Sequence, residues 1–558
     1  MVARLLSLLS KEWGGLHQAA FLLAISALSA QILALLRDRL LAATFGAGAE
    51  LDIYYSAFRL PDLIYVSFAS FVSVTVLIPF IIRAGKAGGE AEVERFLSNL
   101  FTVFFGVTVL VGLVAFAGMP YVATYIAPGF GPEALAQLVL LSRLLLLSPL
   151  LLGISNLLGS VTQSYRKFFA YTLSPVVYNV GIIFGLIFFY PQFGLVGLVG
   201  GVIIGALFHL LVQVPSIIQI GVRLHFVRQI NWAEIWTVIK VSLPRTIALS
   251  GNQLALAVLV ALGSLMVAGS ITVFNLAFNL QSVPLIVVGV SYSVAAFPTL
   301  AALFSSGEKS QFVAKIELAI RHIMFWSLPA MTLFIVLRAH LVRIVFGTGN
   351  FSWSDTRLVA AALALFIISV AAQGLVQLFV RAYYASNNTK IPLLINLSSS
   401  AAIVFLAILF THLFNQVLVF RFFIENLLRI EDLSGGSILM LPLAYSGGIL
   451  LNACLYWIFF RRHFGVFAPE VTESIWRSFA GAIVGGFVAY HTLALFVPLV
   501  DQATYLGIIS QGVAAGLAGL IFAIGTLWVL GSVELKEFYS ALSAKVWRNP
   551  ISPGAEEI

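Results

Sequence analysis

The stretch HQAAFLLAISALSAQILALLRDRLLAATFGAG, His17 to Gly48, decides the class of this chain. It is apolar over more than the ~20 residues that a helix needs to cross a bilayer, yet Arg37, Asp38 and Arg39 stand inside it. A charge at the centre of a membrane helix costs ~2.5–3.5 kcal/mol on insertion scales, so it usually faces a bundle interior or a water-filled cavity. Two arginines around one aspartate leave a positive charge over, and an anion is the partner this predicts. The alternative is a triplet at the membrane surface, with the arginines snorkelling and Asp38 paired to a neighbour.

The composition extends this reading to the whole molecule. Of 558 residues, 60% are hydrophobic and 10% charged, and mean hydropathy is +1.02. A soluble chain is about one-quarter charged. The chain reads as an all-α, polytopic membrane protein with about 14 transmembrane helices. The span at 51–83 holds Pro61 and Pro79, and that at 271–303 holds Pro284 and Pro298, so kinked or broken helices are expected there. The net charge of +8 reflects basic loops on the inner side and not nucleic-acid binding. Cys454 is the single cysteine, which excludes disulfides and cysteine metal sites.

Loop charge gives an orientation. Arg83, Lys86, Arg166, Lys167, Arg223, Arg228, Lys309, Lys315, Arg381, Lys390, Arg461 and Arg462 fall in alternate connectors, whereas 119–133, 191–193, 265–270 and 501–503 have neither Lys nor Arg. This bias predicts that both termini are cytoplasmic. Residues 1–16 read as a surface helix with Leu5, Leu6, Leu8 and Leu9 towards lipid. The segment 415–436 reads as an external amphipathic insertion around Arg421, Glu425 and Arg429, and 531–558 as a cytoplasmic tail. No phosphate-binding glycine loop, HExxH motif or other catalytic constellation occurs, so an enzyme is not expected. His209 reads as a packing residue, hydrogen-bonded within an apolar helix.

Prolines in or beside many spans suit a transporter that bends between two states. Pro175 to Asn179 and Pro392 to Asn396 share a four-residue spacing, each after a basic connector. This suggests an internal repeat whose second copy starts near residue 236.

The run RDRLLAATFGAGAELDIYYSAFRLPD, Arg37 to Asp62, resembles without a gap the signature of the MurJ/MviN lipid II flippases. Phe45, Gly46, Gly48, Asp52 and Pro61 fall on its motif positions. SPVVYNVGII, GGVIIGALFHLLVQVPSI, QSVPLIVVGVSYSVAAFPTL, VFGTGNFSWSDT and YYASNNTKIP follow in the family's order. The resemblance covers about 20 to 530. It implies the fold of the multidrug/oligosaccharidyl-lipid/polysaccharide (MOP) exporters: two pseudo-symmetric six-helix lobes around a central cavity, plus two C-terminal helices. On this chain those are an N-lobe at 17–235 and a C-lobe at 236–414 completed by 437–461. The last two spans lie within 462–530. It further implies a multi-pass protein of the bacterial cytoplasmic (inner) membrane that moves a polyprenyl-diphosphate-linked peptidoglycan precursor, lipid II, to the outer leaflet by alternating access.

Arg37 is then the expected phosphate contact, with Asp38 orienting it and Arg39 and Arg59 secondary, since arginine grips phosphate through a two-pronged fork. The resemblance also marks departures. Gln31, Tyr65 and Asn279 stand where the family has cavity arginines, Ser70 where it has an acidic residue, and Asp62 where it has asparagine. Gln31 and Asn279 become neutral donors to the substrate, and Arg245 is a further cavity candidate. No cofactor is expected. Coupling to a monovalent cation or to the membrane potential would fit the family, with Asn252, Gln253 and Asn396 polar enough to be considered. The lost arginines leave two rivals open: an exporter of another lipid-linked glycan or amphiphile, and a non-transporting scaffold for cell-wall synthesis proteins.

Overall fold

The computed structural model describes residues 16–69, 71, 74–165, 167–501 and 504–546. The surface helix expected at 1–16 therefore lies almost wholly outside the described residues, as do Ser70, Arg166 and the tail from 547. The described residues are nearly all helical, without a strand among them. This is what hydrocarbon demands: with no water to satisfy backbone N–H and C=O groups, a helix satisfies its own.

The chain enters through α1 (Leu16–Phe45), which carries the charged triplet in its interior. Then come α2 (Ala49–Ala57) and α3 (Arg59–Ala69), broken at Phe58. Pro61 sits in the first turn of α3, where its missing N–H costs nothing. The break expected in this span is real. The eighth span is also interrupted: α11 (Ser270–Pro284) passes through a wide π-type turn at Leu285–Val290 into α12 (Ser291–Ser305).

Ten described helices are long and apolar enough to cross a membrane. An eleventh is the pair Trp353–Ile367 and Val370–Ala385, bent by 44°. Two of the ten runs fold back at an internal glycine. In α4 (Val74–Ile126) the turn falls at Gly89 (φ 67°, ψ −152°). Phe80 stacks on Phe96 across it, with ring centroids 5.9 Å apart. After α5 (Pro132–Leu145), α6 (Leu147–Ser164) and α7 (Phe168–Phe184), the chain reverses inside α8 (Tyr190–Leu211) at Gly194 (φ 59°, ψ −145°). Both glycines use a conformation closed to other residues. The two arms on either side of Gly194 pack so closely that a Cβ on Gly181 would lie 2.4 Å from the Cα of Gly205, the small-residue packing typical of membrane helices.

The residues form two compact units that do not follow chain order. One holds the chain to Leu280 with Val345–Ala362 and Thr389–Gly448. In it α10 (Trp232–Ser264) packs on α17 (Lys390–Gln416), and the short α18 (Leu418–Leu428) follows. Its charges pair off: Arg421 Nε donates to Glu425 at 2.8 Å. Arg357, in the first part of α15 (Trp353–Ile367), grips both oxygens of Asp432 at 2.7 and 2.6 Å and the carbonyl of Arg429 at 2.6 Å.

The other unit holds Gln281–Ile344, Leu363–Asn388 and the chain from Ile449. It contains α13 (Lys309–Val336), α16 (Val370–Ala385), α20 (Pro469–Phe496), α21 (Tyr505–Val529) and α22 (Val533–Val546). Here α22 is pinned to α13: His322 Nε2 is 2.9 Å from Glu537, Arg321 is 3.6 Å from Glu534, and Trp326 packs edge-on to Phe538. Burial works against the charge of Glu534, yet hydrogen bonds, first that of the Ser532 hydroxyl, and the Arg321 charge hold its carboxyl below the usual range. A carboxyl depressed in the folded state contributes stability above its unfolded pKa and loses it only as pH falls through the lower folded value. Docking of α22 should therefore survive the ordinary carboxylate range, near about 4.3, and weaken below it. Hydrogen exchange of residues 533–546 against pH, corrected for intrinsic rates, checks this. Glu534→Gln should loosen the helix above that range, and the difference from the wild type should vanish at the acid end.

Candidate functional site

The interior of α1 places Arg37 and Asp38 side by side. The Nε and Nη2 of Arg37 donate to Asp38 Oδ1 at 2.9 and 2.7 Å, and Nη1 donates to Asn179 Oδ1 of α7 at 3.1 Å. Asp38 Oδ2 accepts from Asn279 Nδ2 of α11 at 2.9 Å. The Asp38 side chain is 1% exposed and that of Arg37 20%. This differs from a snorkelling triplet. The carboxylate is sealed among donors from separate helices, while the guanidinium keeps an open side. Of its five N–H groups, two have no acceptor among the described residues.

A second cation repeats the arrangement. Arg59, opening α3, donates through Nη2 to Asn275 Oδ1 of α11 at 2.6 Å. Asn275 and Asn179 are both held in the same way, each amide donating to the carbonyl four residues back, Ile271 at 2.7 Å and Pro175 at 3.0 Å. That leaves each Oδ1 turned to an arginine. Asn275 and Asn279 are four apart and share one face of α11. One helix face therefore serves Arg59 with an oxygen and Asp38 with a nitrogen. Next to the α2–α3 break, the Tyr55 hydroxyl, the Ser56 hydroxyl and Arg59 Nε are buried without a hydrogen-bond partner among the described residues.

Gln31 lies seven residues before Asp38, so the two share a face of α1 two turns apart; Gln31 and Arg39 are half-buried. Arg245 is half-buried inside α10, directly after Pro244. Tyr65 accepts a hydrogen bond from Asn156 Nδ2 at 2.9 Å. The structure thus joins Arg37, Asp38 and Asn279 in one hydrogen-bonded chain and gives Arg59 a place on the same face of α11. Gln31 and Arg39 stand on α1 and Arg245 on α10. Asn179 and Asn275 were not foreseen as site residues. The Pro-x-x-x-Asn repeat already marked Asn179, and the Asn-x-x-x-Asn spacing of α11 would have marked Asn275.

The motif residues after the triplet make a joint. Asp52, 3% exposed, accepts from Gly269 N, Thr272 N and the Thr272 hydroxyl, each at 2.7 Å. It thereby caps the start of α11, where helix N–H groups lack partners. The turn Phe45–Gly48 fits beneath: a Cβ on Gly269 would stand 2.0 Å from the Ala47 carbonyl, and one on Gly46 (φ 63°) 2.8 Å from that of Asn350. Asn350 closes the contact, donating to Ala43 O at 2.8 Å and Thr44 O at 2.7 Å. Among the described residues no group of His, Cys, Asp or Glu could hold a metal ion.

The family model described as lipid II flippase MurJ matches residues 41–509. The chain belongs to the lipid II flippase MurJ family. It is 28% identical over 403 residues to a probable lipid II flippase MurJ of Buchnera aphidicola subsp. Acyrthosiphon pisum, covering 71% of this chain and 76% of the relative. Against that of Rhizobium meliloti it is 25% identical over 513 residues, 89% and 92% of the two chains. A solved lipid II flippase MurJ in an inward closed conformation superposes with a TM-score of 0.73 at 19% identity, covering 93% of this chain and all of that one. An inward-facing multidrug resistance MATE transporter of the MOP superfamily gives 0.62 at 13%, covering 80% and 95%. At these identities the solved structures fix the fold, which is the one the sequence implied.

The capping role of Asp52 yields a direct expectation. Asp52→Ala should lower stability by about 2–3 kcal/mol, from a lost cap and buried N–H groups left unpaired. Asp52→Asn should recover part, since one side-chain oxygen remains. Thermal unfolding of the purified variants in detergent measures both.

Proposed function

We propose that Arg37 is the phosphate contact through which this lipid II flippase carries its substrate across the membrane. Membership of the family makes the chain a transporter of a lipid-linked substrate and not an enzyme. The observation that carries the assignment of the site is the state of Arg37. Its guanidinium is fixed by Asp38 and Asn179, and two N–H groups are left over among the described residues. A diphosphate needs a planar pair of donors, and a prepositioned fork offers them without the cost of ordering a long side chain. Asp38 orients the fork and Asn279 holds Asp38. Arg59 is the second contact, its charge opposed by Asp62 one turn on in α3. The orphaned hydroxyls of Tyr55 and Ser56 add neutral donors beside it. Gln31, Arg39 and Arg245 are kept as outlying contacts. A pyrophosphate-sugar-peptide headgroup moves past these groups while its polyprenyl tail stays in lipid, and coupling to a monovalent cation or the membrane potential supplies the direction. The two lobes divide near residue 236, and both termini face the cytoplasm.

Arg37→Ala should reduce transport in reconstituted vesicles to background at normal protein level. Arg37→Lys should keep roughly a tenth, since the charge stays but a charge-assisted bond of ~1.5 kcal/mol is lost with the fork. Full activity of Arg37→Ala would remove the arginine from the mechanism. Orientation is tested separately with Glu431→Cys in a Cys454→Ser background, which an impermeant maleimide should label on intact cells. Labelling only after permeabilisation would invert the topology. Gly435, at φ 92°, is unsuited to the cysteine.

The geometry also sharpens what Asn279→Arg should do. The new guanidinium would meet Asp38 first and raise the net charge of the cluster by one. Lipid II affinity should rise at low salt, and the gain should shrink as salt screens it. No gain at low salt would favour an exporter of a different amphiphile.

A further inference from the structure

The face of α18 that turns away from the protein is apolar, which inverts the usual order of a surface helix. Leu418, Val419, Phe422, Phe423 and Leu427 are all exposed, Val419 to 79%. The charged residue Glu425 is instead buried and paired with Arg421 on the protein side. Asn426 is the one polar residue within the outward face, and its amide donates to the Phe422 carbonyl four residues back at 2.9 Å. In water such a patch would be costly, and patches of this kind mark a membrane or a partner.

Two observations favour lipid. The outward face continues that of α17, where Leu394, Phe405 and Ile408 are exposed on a membrane-spanning helix. Phe410 and Phe420 stack across the joint between the two helices, with centroids 6.4 Å apart, so apolar surface runs round the corner unbroken. Arg421 stands at the flank of the patch, half-exposed, its guanidinium 5.7 Å from the Phe414 ring and its Nε held by Glu425. Its remaining donors are at the level where phosphate headgroups lie when the apolar face is sunk in the acyl boundary.

We propose that α18 is a membrane anchor, lying flat in the headgroup–acyl boundary of the leaflet it faces with Phe422 and Phe423 among the acyl chains. That leaflet is the outer one under the orientation proposed above. The anchor is tied to the bundle: Arg357 of α15 binds Asp432 and the carbonyl of Arg429, the residue that ends α18. Lipid on one side and an ion pair on the other therefore fix the connection between α17 and the following span.

The test uses the full chain in a Cys454→Ser background, in phospholipid nanodiscs holding one protein each, so that no partner is present. A nitroxide is placed at Phe423→Cys, at Val419→Cys, or at the exposed loop residue Glu431→Cys. Collisions with oxygen, which partitions into lipid, are compared with those of a water-soluble nickel chelate. The oxygen-to-nickel ratio should be several-fold higher at 419 and 423 than at 431. Equal ratios at the three sites would overturn the anchor, because a face that stays wet in a disc of pure lipid is one kept for a protein partner. Two positions are used so that poor folding of one variant does not decide the result.

Discussion

A carboxylate inside a membrane bundle keeps its charge only if fixed groups replace the water it has lost, and much of this molecule's first half is arranged around meeting that demand for Asp38. Its two oxygens are taken by Arg37 from the same helix and Asn279 from α11, while Arg37 reaches on to Asn179 of α7. One buried charge thereby ties together three helices far apart in the chain. Removing one partner of such a pair costs ~3–5 kcal/mol because the other is left buried and alone. The polar cluster is consequently a structural requirement as well as the proposed site, and any account of transport must leave Asp38 satisfied at each stage.

Asp52 shows the same side-chain chemistry used for another end. It too is buried, but no cation answers it; two backbone N–H groups and a hydroxyl at the start of α11 do. The adjoining turn brings Ala47 and Gly269 to backbone contact that any side chain would block. The signature shared with the family thus falls into two parts. Arg37 and Asp38 build the polar cluster with Asn179 and Asn279, and Phe45 to Asp52 hold α1, α2 and α11 in register. Since α11 carries both Asn275 and Asn279, the joint sets the height at which those amides meet Arg59 and Asp38.

Much of this was legible from residues alone, for physical reasons. Apolar runs gave the class because hydrocarbon leaves few alternatives to the helix. Pro61 and Pro284 gave the breaks because a missing N–H must fall where a helix begins or widens. The charged triplet was visible because nothing else of its kind occurs inside an apolar run. The partners of Arg37 and Arg59 were less visible. An asparagine in a membrane helix has many uses, and only the fold shows that its amide is tied to the carbonyl four residues back with the oxygen left free to accept. The fold-back turns at Gly89 and Gly194 were likewise hidden among many glycines that merely pack. Loop charge alone could not show that Arg357 is neutralised by Asp432, whose carboxyl its hydrogen bonds hold below the usual range.

The departures from the family's arginines take on a physical meaning once the pairs are in view. Arg37 is paired with Asp38, whereas Arg59 donates to Asn275 and has the charge of Asp62, three residues on in α3, near it. With Asn279 neutral, neither cation stands as unopposed charge. Under the proposed reading a diphosphate would meet Arg37 at the two N–H groups that Asp38 and Asn179 leave over, beside a carboxylate that offsets part of its charge, and so would not fill a bare cationic well. Such binding is weaker than capture by free arginines, since attraction is partly offset by repulsion from Asp38 and Asp62. For a carrier this is no defect. A ligand must be held long enough to cross and then let go, and tight binding on one side becomes a barrier to release on the other. Carboxylates near both cations offset part of their charge in the empty site and limit the depth of the bound state when full. Under the proposed reading, the missing arginines lower affinity in order to leave release possible.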